Sequence, residues 1–173
     1  MLNKIAILGP ESTGKSQLTI ALASYFNAPY VPEMAREYLA VKGINYTYQD
    51  IFDIALLQQE TEKKLQKLHH DKSFLICDTE LITIKIWLEY KKWEVPNWII
   101  EEIEKSDFTL YLLTDIDLPW QEDPLRENPN DRQELIQLFE KELNNFGKNY
   151  QIIKGSGDLR TQKAIEFIKN LIL

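Results

Sequence analysis

The chain has 173 residues, enough for one domain that buries a core without disulfide or metal staples. Its 27 acidic side chains outnumber the 20 basic ones, and a formal charge of −7 argues against non-specific binding to nucleic acid or anionic lipid. No apolar run reaches the roughly 20 residues of a membrane span, and Cys77 alone excludes an intrachain disulfide framework.

With one cysteine, a reducing, cytoplasmic compartment is the expectation. The first segment is strand-like, so no signal peptide is expected either. That segment, Lys4-Ile5-Ala6-Ile7-Leu8, is short, apolar and followed by Gly9-Pro10, which predicts a buried strand. A helix is predicted from Ser16 to Phe26, and a short strand over 28–31 that Pro32 limits. Thr47-Tyr48-Gln49-Asp50 has the form of a capping box and opens a helix to about Leu68, with Ile51, Ile54, Leu57, Thr61, Leu65 and Leu68 along one stripe. Phe74-Leu75-Ile76-Cys77-Asp78 reads as a strand ending in a carboxylate. A helix covers about Leu81 to Lys91, and Pro96 marks a break before Trp98–Ile103. A fourth strand spans 108–113, then a polar loop, a helix from about Asn130 to Asn144, a fifth strand over 150–153 and a closing helix over 159–171. Short apolar strands alternating with helices predict an α/β protein with a five-stranded, mostly parallel sheet and no internal domain boundary.

Gly9-Pro10-Glu11-Ser12-Thr13-Gly14-Lys15-Ser16 matches G-x-x-x-x-G-K-[ST] and lies between a predicted strand and a predicted helix. Gly9 and Gly14 allow backbone angles that turn successive amides into one concavity, and the helix start adds positive potential. Lys15 is expected to reach the β- and γ-phosphates of a nucleoside triphosphate, and Ser16 to offer its hydroxyl to Mg²⁺. The expected phosphate-binding set is Gly9, Glu11, Ser12, Thr13, Gly14, Lys15, Ser16 and Gln17. Asp78 ends a strand, where ligands of parallel sheets gather; it is read as a metal or acceptor-hydroxyl partner, or else as an N-cap of the next helix. Glu33 follows the second strand and is read either as a carboxylate that takes the acceptor's proton or as a solvated helix start, with Arg36 beside it. The loop after the fourth strand carries Trp120, Asp123, Arg126 and, beyond Asp131, Arg132. Trp120 could stack on a flat, cationic ring or simply pack the loop. Arg126 and Arg132 could neutralise a transferring phosphoryl group, or pair with Glu127 or Glu134 at the surface. Trp87, Trp93 and Trp98 are assigned to packing, and Cys77 to an inert place in the core.

Together the Pro-Glu-Ser interior of the phosphate loop, Glu33 with Arg36-Glu37-Tyr38, Asp78-Thr79, Pro119-Trp120, Leu125-Arg126 and Asp131-Arg132 occur in one order. The set resembles the ribosylnicotinamide kinase domain of the bacterial multifunctional NAD-biosynthesis regulator, within the P-loop small-molecule kinases and AAA-type ATP-binding proteins. The resemblance spans nearly the whole chain. It implies a P-loop fold like that of nucleoside and nucleotide monophosphate kinases, with a lid over about 115–132. It also implies ATP-dependent phosphorylation of the 5′-hydroxyl of nicotinamide riboside, with Lys15, Glu33, Asp78, Arg126 and Arg132 catalytic. Glu33, Arg36, Asp78, Trp120 and Asp123 would bind the acceptor, and Ser16 with Asp78 would hold Mg²⁺. The multifunctional proteins carry a DNA-binding segment and an adenylyltransferase domain ahead of the kinase; neither is expected here, so regulation and the second reaction are not carried over. Gln121-Glu122-Asp123-Pro124 does not match the family residue by residue. Two alternatives stay open: a kinase for another nucleoside or nucleotide, and a nucleotide-sensing module without a small acceptor.

Overall fold

The computed structural model describes residues 2–172. Five strands form one sheet: β1 (Asn3–Leu8), β2 (Tyr30–Val31), β3 (Phe74–Asp78), β4 (Phe108–Thr114) and β5 (Tyr150–Ile153), in the order β2-β3-β1-β4-β5. Every pairing is parallel, so each strand is followed by a crossover that carries helix across a sheet face. The helices are α1 (Lys15–Phe26), α2 (Met34–Lys42), α3 (Tyr48–Leu68), α4 (Leu81–Tyr90), α5 (Asn97–Lys105), α6 (Arg132–Asn145) and α7 (Gly157–Ile172).

Side-chain alternation along the strands sorts the core into two layers. Ile5 and Ile7 of β1, with Leu110 and Leu112 of β4, face α1 and α7 and pack on Leu18, Leu22, Ala164 and Ile168. Ala6, Leu8, Tyr111 and Leu113 point the other way, to Ile51 and Ile54 of α3, Ile82 and Ile86 of α4, and Leu135 and Phe139 of α6. Both faces of the sheet are therefore covered, which is why its central strands are continuously apolar. No helix among the described residues is long and apolar enough to cross a membrane.

The predicted strands and most helices are present; two departures have physical causes. Helix α2 has its N-cap at Glu33, in line with the helix-start alternative for that residue, but its extent was not predicted. Its sequence mixes one buried turn (Met34, Leu39) with exposed charge, so its apolar periodicity is faint. In α3 the Thr47–Asp50 capping box forms on both sides, but the buried positions are Asp50, Ile51, Ile54, Ala55 and Gln58, whereas Leu57 and Leu68 face solvent. The stripe is set by Gln58, whose Oε1 accepts from the Met34 amide at 3.0 Å. It thereby satisfies one of the free donors at the start of α2. At α4 the N-cap is Glu80, whose Oε1 accepts from the Ile82 amide at 2.9 Å. Burial pushes its carboxyl up to about 8, against the pull of that amide.

Candidate active site

The first turn after β1 is shaped by two glycines and a stack of threonines. Gly9 sits at φ +142°, and a β-carbon there would lie 2.4 Å from Thr114 Oγ1 and 2.9 Å from the Thr114 carbonyl oxygen. Gly14 sits at φ +77°, a left-handed angle that only glycine adopts without cost. Thr13 Oγ1 lies 2.7 Å from both the Pro10 carbonyl oxygen and Thr114 Oγ1, so β4 braces the loop from below. Helix α1 starts at Lys15, directing its N-terminus into the loop; the Lys15 ammonium donates to the Pro10 carbonyl at 2.9 Å. Sequence and geometry agree here on an anion cradle.

Beside the cradle, parallel pairing of β1 and β3 sets Asp78 opposite Ile7, two residues short of Gly9. Glu80 has taken the N-cap of α4, so Asp78 is not needed there. Its side chain is buried, and its Oδ1 has no hydrogen-bond partner. Burial, and then the Glu33 carboxylate, push the Asp78 carboxyl up to about 6, while Lys15 and the Ser16 hydroxyl pull the other way. Glu33 stands at the N-cap of α2 without a side-chain capping bond, leaving its carboxylate free at the cleft wall.

The segment between β4 and α6 lies across the phosphate loop and is tied to it at several points. The Glu11 carboxylate accepts from the Glu127 amide at 3.2 Å and the Asn128 amide at 2.9 Å. The Ser12 hydroxyl accepts from the Gln121 amide at 2.9 Å and from Arg126 Nη1 at 3.3 Å. Arg132 Nη1 donates to the Leu118 carbonyl at 2.9 Å and the Ser12 carbonyl at 3.4 Å. Neither arginine pairs with Glu127 or Glu134; both are spent on loop oxygens. Arg36 of α2 pairs with Asp123 at 2.5 Å, closing the segment from the opposite side. Of the two readings of Trp120, stacking on an acceptor or packing the loop, the structure has the ring packed within the loop region. It does not line the cleft, and its ring sits 5.9 Å from the Arg126 guanidinium and 5.8 Å from that of Arg132, held by cation–π attraction.

A cleft of about 470 Å³ runs from the phosphate loop, past Glu33 and Arg36, to an apolar chamber. One wall of the chamber is a single face of α4, where Thr83, Ile86, Trp87 and Tyr90 recur at helical spacing. Beside that face stands Tyr46, whose ring meets Trp87 edge to face at 5.1 Å. Trp87 Nε1 donates to the Tyr46 hydroxyl at 3.0 Å, and that hydroxyl donates to Glu127 Oε2 at 2.7 Å. Thr83 Oγ1 is buried without a partner. The structure thus brings Lys15, Glu33, Arg36 and Arg126 to one cleft, with Asp78 buried near Glu33, Lys15 and Ser16 but outside the lining, Asp123 and Trp120 in the covering segment, and Arg132 at the start of α6.

Trp87 packs against the core as expected and also lines the chamber. Tyr46, Thr83, Tyr90 and Glu127 were not singled out; the aromatic and hydroxyl mixture at positions 83, 86, 87 and 90 was the available signal. Arg160 was missed as well. It is buried in α7, and its guanidinium donates to the Thr13 carbonyl and pairs with Asp117, with the Asp115 carbonyl at 3.2 Å. All four arginines of the chain therefore surround the phosphate loop or its cover.

Comparison with known proteins follows this geometry. The trifunctional NAD biosynthesis/regulator protein NadR of Salmonella typhimurium is 26% identical over 175 residues, covering 97% of this chain; the chain spans 42% of that relative's length. A crystal structure of NadR in complex with NR superposes with a TM-score of 0.78 at 20% identity, covering 98% of this chain and 50% of that one. Thymidylate kinase from Ehrlichia chaffeensis gives 0.71 at 13% identity, covering 96% of this chain and 98% of the enzyme. The fold is that of the P-loop kinases. The model of the AAA domain family matches residues 4–160, most of the chain, and the chain belongs to that family.

Proposed function

We propose that this chain is an ATP-dependent kinase of nicotinamide riboside, forming nicotinamide mononucleotide in the cytoplasm. The observation that carries the reading is the cleft itself, which joins an anion cradle at one end to an aromatic chamber at the other, with Glu33 between them. A nicotinamide ring is flat and cationic when attached to ribose, and the faces and edges of Trp87, Tyr46 and Tyr90 suit such a ring. The unpaired Thr83 hydroxyl gives that wall a hydrogen-bonding group. The likeness to NadR supports the same acceptor.

In this reading the loop amides and Lys15 hold the donor phosphates, Lys15 exchanging its Pro10 contact for phosphate oxygens. Glu33 orients the acceptor's 5′-hydroxyl and takes its proton as that oxygen bonds to the γ-phosphorus and the bond to the departing ADP breaks. Arg126 and Arg132, in a lid spanning about 115–132, stabilise the charge spread over the transferring group. Asp78 and Ser16 fit a Mg²⁺ ion: the buried, unpaired Asp78 Oδ1 is the hard oxygen such an ion needs, and the Ser16 hydroxyl lies beside it. When bound, the ion would neutralise phosphate charge. The same residues form one kinase domain over 1–173.

ADP release across nicotinamide riboside, purine and pyrimidine ribosides, deoxyribosides and monophosphates tests this. The expected result is a marked preference for nicotinamide riboside. Preference for a purine or pyrimidine nucleoside would assign the fold to another nucleoside kinase, as its likeness to thymidylate kinase allows.

A further inference from the structure

A positive charge stands against one of the aromatic rings that line the chamber. Lys91, just past the end of α4, holds its ammonium 5.3 Å from the centre of the Tyr46 ring. A cationic acceptor docking on the same aromatic pair meets this charge, and in a partly buried wall the repulsion is only partly screened. One carboxylate cancels it. Glu127 Oε2 accepts from Lys91 Nζ at 2.7 Å and from the Tyr46 hydroxyl at 2.7 Å, and Glu127 lines the cleft. Both side chains are about one-third exposed, at 34% and 28%, so neither charge is dissolved in bulk water. Glu127 Oε1 takes no hydrogen bond among the described residues, so this half of the anion is left uncommitted in a residue that lines the cleft.

We infer that Glu127 and Lys91 form a charge-setting pair in which Glu127 admits a cationic acceptor ring and Lys91 works against it. This rests on the nicotinamide riboside reading and adds the residue that makes the chamber distinguish a cation from its neutral isostere. Neither side chain touches the reacting atoms; both act through Tyr46 and the local potential, so they are positioning and specificity residues. The lid contact to Glu11 is made by the Glu127 backbone amide, which a side-chain change leaves in place.

The test compares nicotinamide riboside with 1,4-dihydronicotinamide riboside, which keeps the carboxamide and the ribose but lacks the ring charge. Affinities by calorimetry and KM values are measured on the full chain. Glu127→Gln should reduce the cation-over-neutral preference roughly tenfold, chiefly through KM for the cation. Lys91→Met should move that preference the opposite way, and the double variant should return it near the wild-type ratio. Opposite signs and their cancellation are a signature of charge that a merely structural role does not produce. An unchanged ratio in Glu127→Gln, or a shift of the same sign in Lys91→Met, overturns the inference while the kinase reading stands. If wild-type protein binds neither riboside, both fall together.

Discussion

The two ends of the cleft are built in different ways. The phosphate end is a contiguous backbone device: eight successive residues, two of them glycines at angles closed to other side chains, turn amides and a helix N-terminus toward one point. The chamber end is a side-chain device, assembled from the α2–α3 connection, one face of α4, and the segment before α6. Backbone devices tolerate little change and serve any triphosphate. Side-chain devices can be revised one residue at a time, and they decide which acceptor enters.

The contrast can be broken most forcefully at Lys15. Lys15→Ala should lower phosphoryl transfer by roughly a thousandfold or more while shifting the thermal midpoint little, since its present partner is a single carbonyl; retained turnover would remove the loop from the chemistry. Gly9→Ala should damage both fold and activity, at a cost of about 3 kcal/mol in denaturant unfolding, because the added carbon meets the Thr114 carbonyl oxygen as well as its hydrogen-bonded hydroxyl. Asp78→Asn should separate stability from function. Its folded value of about 6 exceeds the ordinary 3.8, so the native state holds the extra proton between those values. The asparagine variant therefore gains on wild type as pH rises through that window, by as much as roughly 3 kcal/mol above pH 6, while activity is lost. Glu80→Gln is its counterpart away from the cleft: with a folded value of about 8, its stability gap from wild type should keep widening between pH 6 and pH 8, where the Asp78 gap has levelled off. Urea titrations at pH 5, 7 and 9 read both. Trp87→Leu should raise the acceptor KM about tenfold and leave the KM for ATP alone; an equal effect on both would deny the division of the cleft. The smallest effect belongs to Asp123→Asn, which breaks an exposed pair with Arg36 and should cost less than about 1 kcal/mol.

The same division explains what could be read without coordinates. The phosphate loop, the parallel sheet and the strand-end Asp78 follow from short-range pattern, because a strand's period and a glycine's freedom are local properties. Glu33 and Arg36 could be nominated from their place after a strand, and a helix start there was one reading of Glu33, but the length of that helix was illegible, its buried side being only Met34 and Leu39. Trp120 follows its packing alternative, and Trp87 packs on the core as expected while also facing the chamber. A tryptophan in a polar loop reads as a ligand contact or as packing, and one in a helix as core; the loop ring found two arginines and the helical ring found the chamber as well as the core. Which surface a helix turns to a cleft depends on what packs behind it, and α4 is apolar nearly all round, so its period alone could not choose.

Arg160 carries a consequence for how the protein comes to exist. The loop at residues 9–16 precedes most of the residues that complete it: its Thr13 carbonyl is held by a guanidinium almost 150 positions later, and Thr114 braces it from beneath. Its strand is central, and both neighbouring strands also arrive later. A nascent chain therefore carries its phosphate loop unfinished while the residues between it and α7 are made, and nucleotide affinity should emerge abruptly, as α7 docks and closes a contact of very long sequence separation.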